Sequence, residues 1–174
     1  EIQTLINKFK YGDFKEVLNK CSNLLKKNPK NDFLWNLTGL CFQRVGDHYK
    51  AITSFQNAIE NNEKNISAKN NLGISYKAIK EYEKAKKNFE ELLLENPNYV
   101  NAIINLANLK KDTYFLDEAI SYYKKALTID ENLPGLHLNI SSILQVKNKM
   151  DEAKEHLFKA LKLKNNFTRA DQTL

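Results

Sequence analysis

The sequence predicts an all-α protein, a solenoid in which pairs of helices stack along the chain. Gly and Pro, which end helices and form turns, number only 5 and 3 in 174 residues, and this favours long helices over many short strands. Alanine also recurs at a spacing of 34 residues, which is typical of a helical repeat. The alanines at this spacing are Ala51, Ala85, Ala119 and Ala153.

Two further registers keep the size of the side chain at the same spacing. One holds large residues, namely Phe55, Phe89, Tyr123 and Leu157. The other holds small residues, namely Gly39, Gly73, Ala107 and Ser141. Small residues let paired helices approach closely, and the aromatic residues fill the gap to the next pair. Each pair then buries its apolar face only by stacking on its neighbours.

The repeats divide the chain in order. Residues 1–31 hold an incomplete repeat 1, followed by repeat 2 (32–65), repeat 3 (66–99), repeat 4 (100–133) and repeat 5 (134–167). Residues 168–174 are expected to begin a further or capping helix. The chain starts at Glu1, not at Met, and this helix is unfinished at Leu174, so we expect a fragment of a longer protein.

Short breaks separate the two helices within a repeat, as at GDF (12–14) and GDH (46–48). Asp13 and Asp47 are predicted to cap the helices that follow, and Glu16 would complete a capping box with Asp13. Pro134 stands where the first position of a helix tolerates proline.

This pattern resembles the tetratricopeptide repeat, and the resemblance covers nearly the whole chain. It is carried in repeat 2 by Trp35, Gly39, Phe42, Ala51, Phe55 and Ala58, and in repeat 3 by Leu72, Gly73, Tyr76, Ala85, Phe89 and Pro97. The resemblance implies a right-handed superhelix of about five repeats, whose first helices line a concave groove. It also implies a protein-protein interaction module that holds a peptide or protein segment in that groove.

An asparagine ladder is predicted on the groove wall. The sixth position of repeats 3, 4 and 5 is Asn71, Asn105 and Asn139, and a carboxamide both donates and accepts hydrogen bonds, as a peptide unit does. The ladder is similar to one in the repeat region of the O-linked N-acetylglucosamine transferases. Asparagines inherited by duplication and merely hydrated are the alternative. Four further residues are expected beside the ladder: Asn70, Asn108, Lys77 and Lys111.

The N-terminal end of the groove is predicted to be lined by apolar residues. These are Phe9, Phe33, Leu37 and Leu40. An apolar wall of this kind is either covered by preceding chain or is a docking site. A homodimer through this wall is one occupant that we consider.

The formal net charge is +6, but only two of the 27 basic residues are arginine. Arginine is the side chain that phosphate and base recognition favour, so the composition argues against a nucleic-acid partner. No apolar run has the length of a membrane-spanning helix, so we expect no membrane insertion and a cytoplasmic location.

No catalytic or metal site is predicted. His48, His137 and His156 lack metal-ligand spacing, and no phosphate loop or nucleophile motif occurs. Cys21 and Cys41 are interpreted as buried free thiols, and no cofactor is expected. The chain is therefore expected not to be an enzyme. The alternative is the substrate-recruiting arm of a glycosyl- or sulfotransferase whose catalytic domain lies outside this chain.

Overall fold

The computed structural model describes the backbone of residues 2–171 and the side chains of residues 2–164. Ten α-helices and no strand occur in this part of the chain, which confirms the predicted all-α class. The helices are α1 (Ile2–Lys10), α2 (Phe14–Lys27), α3 (Asp32–Arg44), α4 (His48–Asn61), α5 (Ile66–Ala78), α6 (Tyr82–Glu95), α7 (Val100–Asp112), α8 (Leu116–Ile129), α9 (Pro134–Val146) and α10 (Met150–Asp171).

The helices form two compact units, which are described separately. The first, up to Pro97, contains the pairs α1–α2, α3–α4 and α5–α6. The second, from Asn98, contains the pairs α7–α8 and α9–α10. In each pair the two helices pack against each other, and in each unit the second helix of one pair also packs on the first helix of the next.

One residue with a positive φ angle stands between the two helices of every pair. Gly12 and Gly46 hold this position in the first two pairs, with φ of 87° and 82°. Lys80, Tyr114 and Asn148 hold it in the other three, with φ of 62°, 64° and 59°. These positions are 34 residues apart, so the left-handed conformation that ends the first helix is itself part of the repeat.

The small-residue register allows close packing within the pairs α3–α4 and α5–α6. A Cβ atom added to Gly39 would lie 2.5 Å from Cε1 of Phe55, a distance that real Cβ atoms essentially never show. Phe55 is fully buried, and its cluster includes Ala68 and Leu72 of the next pair. The aromatic residue therefore fills the space inside its own pair as well as the gap to the next one.

Polar side chains cap several helices. The predicted cap at Asp47 is confirmed, since its carboxylate accepts a hydrogen bond from the backbone N–H of Lys50 at 3.1 Å. Pro134 is in the first turn of α9, as predicted. The capping box at Asp13 is wrong, because the Asp13 side chain makes no cap hydrogen bond. Glu16 instead pairs with Lys8 at 2.5 Å and with Lys20 at 3.1 Å.

The last helix is longer than predicted. Helix α10 continues through Asn165 to Asp171, whereas the repeat pattern predicts that a further helix begins near residue 168. No Gly or Pro lies between Met150 and Asp171 to stop it. Residues 172–174 of the predicted capping helix lie outside the described residues. Within residues 2–171, no helix is both long enough and apolar enough to cross a membrane.

Candidate functional site

In the first unit, the side chains of α3 and α5 bring two carboxamides together. Nδ2 of Asn71 donates to Oδ1 of Asn36 at 3.3 Å, and the Asn71 side chain is half-buried. About two turns along α3 from Asn36, Nε2 of Gln43 donates to the backbone oxygen of Asn71 at 2.9 Å and to Oγ of Ser75 at 2.8 Å. Asn71 is thus partly engaged by its own chain.

Asn70 does not lie on an accessible surface, contrary to our prediction. Its side chain is 6% exposed. Successive helix residues are rotated by about 100°, and Asn70 is on the side of α5 that also buries Gly73. A bound peptide therefore cannot reach it. Lys77, further along α5, is half-buried and remains on the candidate surface.

In the second unit, α7 carries Asn105, Asn108 and Lys111, all half-buried. The Asn108 oxygen has a partner within the chain, and a role of Asn108 in peptide binding stays a prediction. Oδ1 of Asn108 accepts a hydrogen bond from the Tyr123 hydroxyl at 2.5 Å. Tyr123 is fully buried, and burial raises its pKa to about 12. This bond joins α7 to α8 and leaves the Nδ2 donors of Asn108 outside it.

Asn139 on α9 differs from Asn71 in its surroundings. Its side chain is half-buried, and no side-chain hydrogen bond joins it to another described residue. Leu138 beside it is 47% exposed. A carboxamide that has no protein partner and borders an apolar side chain is the kind of group that can bind a ligand.

The four apolar residues predicted for docking separate into different roles. Leu37 is 5% exposed and belongs to the core of the first unit, so its assignment to a docking wall is wrong. Phe9 packs edge-on against Phe14 with ring centroids 5.4 Å apart. Leu40 is half-buried against the neighbouring cluster, and Phe33 alone of the four is exposed, at 36%. Leu37 is therefore excluded from docking, and docking through Phe9, Phe33 and Leu40 stays a prediction.

Two of the three histidines lie together, which the sequence analysis missed. Nδ1 of His137 on α9 and Nδ1 of His156 on α10 are 3.0 Å apart. Burial lowers the pKa of both imidazoles, and the Lys159 ammonium lowers both further. For His156, His137 and Lys124 lower the pKa as well, whereas Glu155 raises it. The pairing of α9 with α10 could have indicated this contact, because the two histidines face each other only when these helices pack together.

The two cysteines are buried free thiols, as predicted. Burial raises the pKa of Cys41 to about 12, and the nearby Cys21 sulfur contributes to the rise. Burial also raises the pKa of Cys21, against the effect of a hydrogen bond with Thr38. Neither thiol has the low pKa of a reactive nucleophile. Among the described residues, no group of three or more His, Cys, Asp and Glu could hold a metal ion.

A cavity of about 540 Å³ lies in the first unit between α2 and α3. Its apolar lining is provided by Leu18, Leu25, Trp35 and Phe42. The indole N–H of Trp35 donates to the backbone oxygen of Pro29 at 2.7 Å, which fixes the ring at the cavity edge. Trp35 and Phe42 belong to the repeat pattern in the sequence, and no cavity was predicted beside them.

Comparison with known proteins identifies the repeat. A family model described as tetratricopeptide repeat matches residues 66–99, 100–133 and 134–167, more than half of the chain. No curated protein sequence matches.

Solved structures share the fold at low sequence identity. A crystal structure of MamA is 23% identical, with 94% of this chain and 95% of that chain covered and a TM-score of 0.81. MamA 41-end from Desulfovibrio magneticus RS-1 is 19% identical, with coverage of 94% and 93% and a TM-score of 0.81. PilF of Pseudomonas aeruginosa is 18% identical, with coverage of 92% and 73% and a TM-score of 0.83.

Proposed function

Because this chain belongs to the tetratricopeptide repeat family, we propose that it is a protein-interaction module without catalytic activity of its own. Its ligand is an extended peptide or protein segment. The binding residues are the half-buried polar side chains of the first helices, considered separately in each unit. They are Asn71 and Lys77 in the first unit and Asn105, Lys111 and Asn139 in the second.

The observation that carries the proposal is the carboxamide of Asn139, which is half-buried and has no described hydrogen-bond partner. An extended peptide presents a C=O and an N–H at each residue, and one carboxamide can bind both. Recognition of this kind depends on the backbone of the ligand and makes little demand on its sequence.

The carboxamides of Asn71 and Asn36 support the same chemistry in the first unit. Their mutual bond of 3.3 Å is longer than the usual 2.9–3.0 Å of an N–H···O hydrogen bond. Each carboxamide also has two N–H donors and two oxygen lone pairs, so one bond between them leaves capacity for a ligand. Lys111 makes no ion pair with a described residue and would favour carbonyl oxygens or acidic side chains of the peptide.

The test separates backbone recognition from side-chain recognition. A display library of random peptides provides a ligand for the full chain, and that peptide is then compared with its backbone N-methylated and alanine-substituted forms. Loss of one hydrogen bond costs about 1 kcal/mol, so N-methylation at a contacted residue should weaken binding roughly fivefold. Alanine substitutions in the peptide should have smaller effects.

The protein variants are matched. Asn139→Ala should weaken peptide binding, whereas Asn57→Ala should not. Asn57 is also a half-buried asparagine, but it lies on the second helix α4 and bonds the backbone oxygen of Thr53. Equal affinity of the wild type and Asn139→Ala, or of the plain and N-methylated peptides, would count against the proposal. The alternative, a recruiting arm for a transferase, uses the same side chains, and the encoded full-length sequence decides between the two.

A further inference from the structure

His137 and His156 bring two imidazole nitrogens together inside one helix pair. Their ring centroids are 5.2 Å apart, the ring planes are inclined by 42°, and both side chains are half-buried. Helices α9 and α10 pack against each other, so two regular elements hold the rings in place. We propose that this pair is a binding site for a divalent first-row transition metal, Cu²⁺ above all, coordinated by Nδ1 of both residues.

The separation of the two nitrogens fits one metal ion. Imidazole nitrogens bind such metals at about 2.0–2.1 Å. Two nitrogens 3.0 Å apart would subtend roughly 94° at such a metal. In the metal-free pair the centroid distance of 5.2 Å directs the two Nδ1 atoms at each other, so both rings must turn toward a shared ion. Tetragonal sites with nitrogen ligands are typical of Cu²⁺ and Ni²⁺. Cu²⁺ is also the ion that nitrogen ligands bind most tightly in this series.

The binding step balances without loss of a proton. In the metal-free pair, one Nδ1 carries a hydrogen and donates it to the lone pair of the other. When the metal binds, the donating ring transfers its proton from Nδ1 to Nε2, and both Nδ1 lone pairs form bonds to the metal. Both rings stay neutral, no electron is transferred, and water completes the coordination.

The surrounding charges set the character of the site. Lys159 and Lys124 near the pair oppose a cation, while Glu155 next to His156 favours it. No third His, Cys, Asp or Glu completes a metal cluster among the described residues. A site with two protein ligands and open positions binds an exchangeable metal, in contrast to the closed four-ligand sites that hold structural zinc.

The preceding helix pair does not repeat this site. Residues 34 positions earlier, Ile103 and Tyr122, take the places of His137 and His156 in the preceding pair, and they are not ligands for such a metal. Duplication of the repeat therefore does not account for the two histidines.

The test is Cu²⁺ titration of the full chain slightly above neutral pH, followed by electron paramagnetic resonance. The wild type should bind one Cu²⁺ with splitting from two ring nitrogens. His137→Asn and His156→Asn should each weaken binding by about tenfold or more, and the double variant should lose the signal. His48→Asn is the matched control and should bind as the wild type does. Equal binding by the wild type and the double variant overturns the proposal.

A second measurement needs no variant and so does not depend on how the variants fold. Paramagnetic Cu²⁺, added below one equivalent, should broaden the imidazole NMR signals of His137 and His156 and leave those of His48 sharp. Equal broadening of all three histidines would also overturn the proposal.

Discussion

Gly73→Ala tests whether the small-residue register sets the distance between paired helices. Gly73 is buried on α5 and faces Phe89 of α6. An added Cβ would lie 2.5 Å from Cε1 and 2.7 Å from Cζ of Phe89, and 2.9 Å from Oδ1 of Asn88. Favourable contacts between carbon atoms are about 3.5–4.0 Å. Phe89 is fully buried, so its ring can yield only by moving other core atoms.

The expected change is a loss of stability. Overpacking of a well-packed core costs about 1–3 kcal/mol, and alanine recovers about 0.5–1 kcal/mol relative to glycine inside a helix. The free energy of unfolding should therefore fall by about 1–2 kcal/mol. Urea unfolding followed by circular dichroism measures this change.

Gly135→Ala is the matched control. Gly135 is also helical, on α9, but no atom lies within 4 Å of the Cβ that alanine would add. This variant should gain up to about 1 kcal/mol, the opposite sign. Adding Phe89→Leu to Gly73→Ala should cost less than the two single changes together, because the smaller side chain makes room for the Cβ. A Gly73→Ala protein as stable as the wild type would refute the reasoning.

Three further predictions follow from the described geometry. Tyr114→Gly should raise the unfolding free energy by roughly 0.5–1 kcal/mol, since tyrosine at φ 64° bears a left-handed strain that glycine lacks. The Tyr114 ring is 87% exposed, so its removal costs little contact. A drop in the urea midpoint would contradict this. Because the pKa values of His137 and His156 are lowered in the fold, the unfolded chain binds more protons below its histidine pKa of about 6.5. The free energy of unfolding should therefore show no loss from these histidines above that pH and should decline as the pH falls below it. A chain with both histidines replaced by Asn should lose less stability over the same pH range. Cys21 and Cys41, both fully buried, should react with a thiol reagent only as fast as the chain opens, and prompt labelling of the folded chain would exclude the described packing.

The positions of the asparagines on their helices show where prediction from sequence succeeded and where it stopped. Spacing predicted that Asn70, Asn71 and Asn108 are on first helices, and they are. It did not predict that Asn70 turns inward or that Asn108 is taken by the Tyr123 hydroxyl. A rotation of one residue decides which side of a helix is buried, and a hydrogen-bond partner on another helix is visible only once the helices are packed.

The sequence by itself determined the period of 34 residues, the pairing of helices and the places of the small and aromatic residues, because these follow from local periodicity and repetition. Only the tertiary structure decided that Leu37 belongs to the core and that His137 meets His156, since both depend on which faces the packed helices turn toward each other. Residues 19 positions apart in the chain come to 3.0 Å in the fold because antiparallel helices return the chain alongside itself.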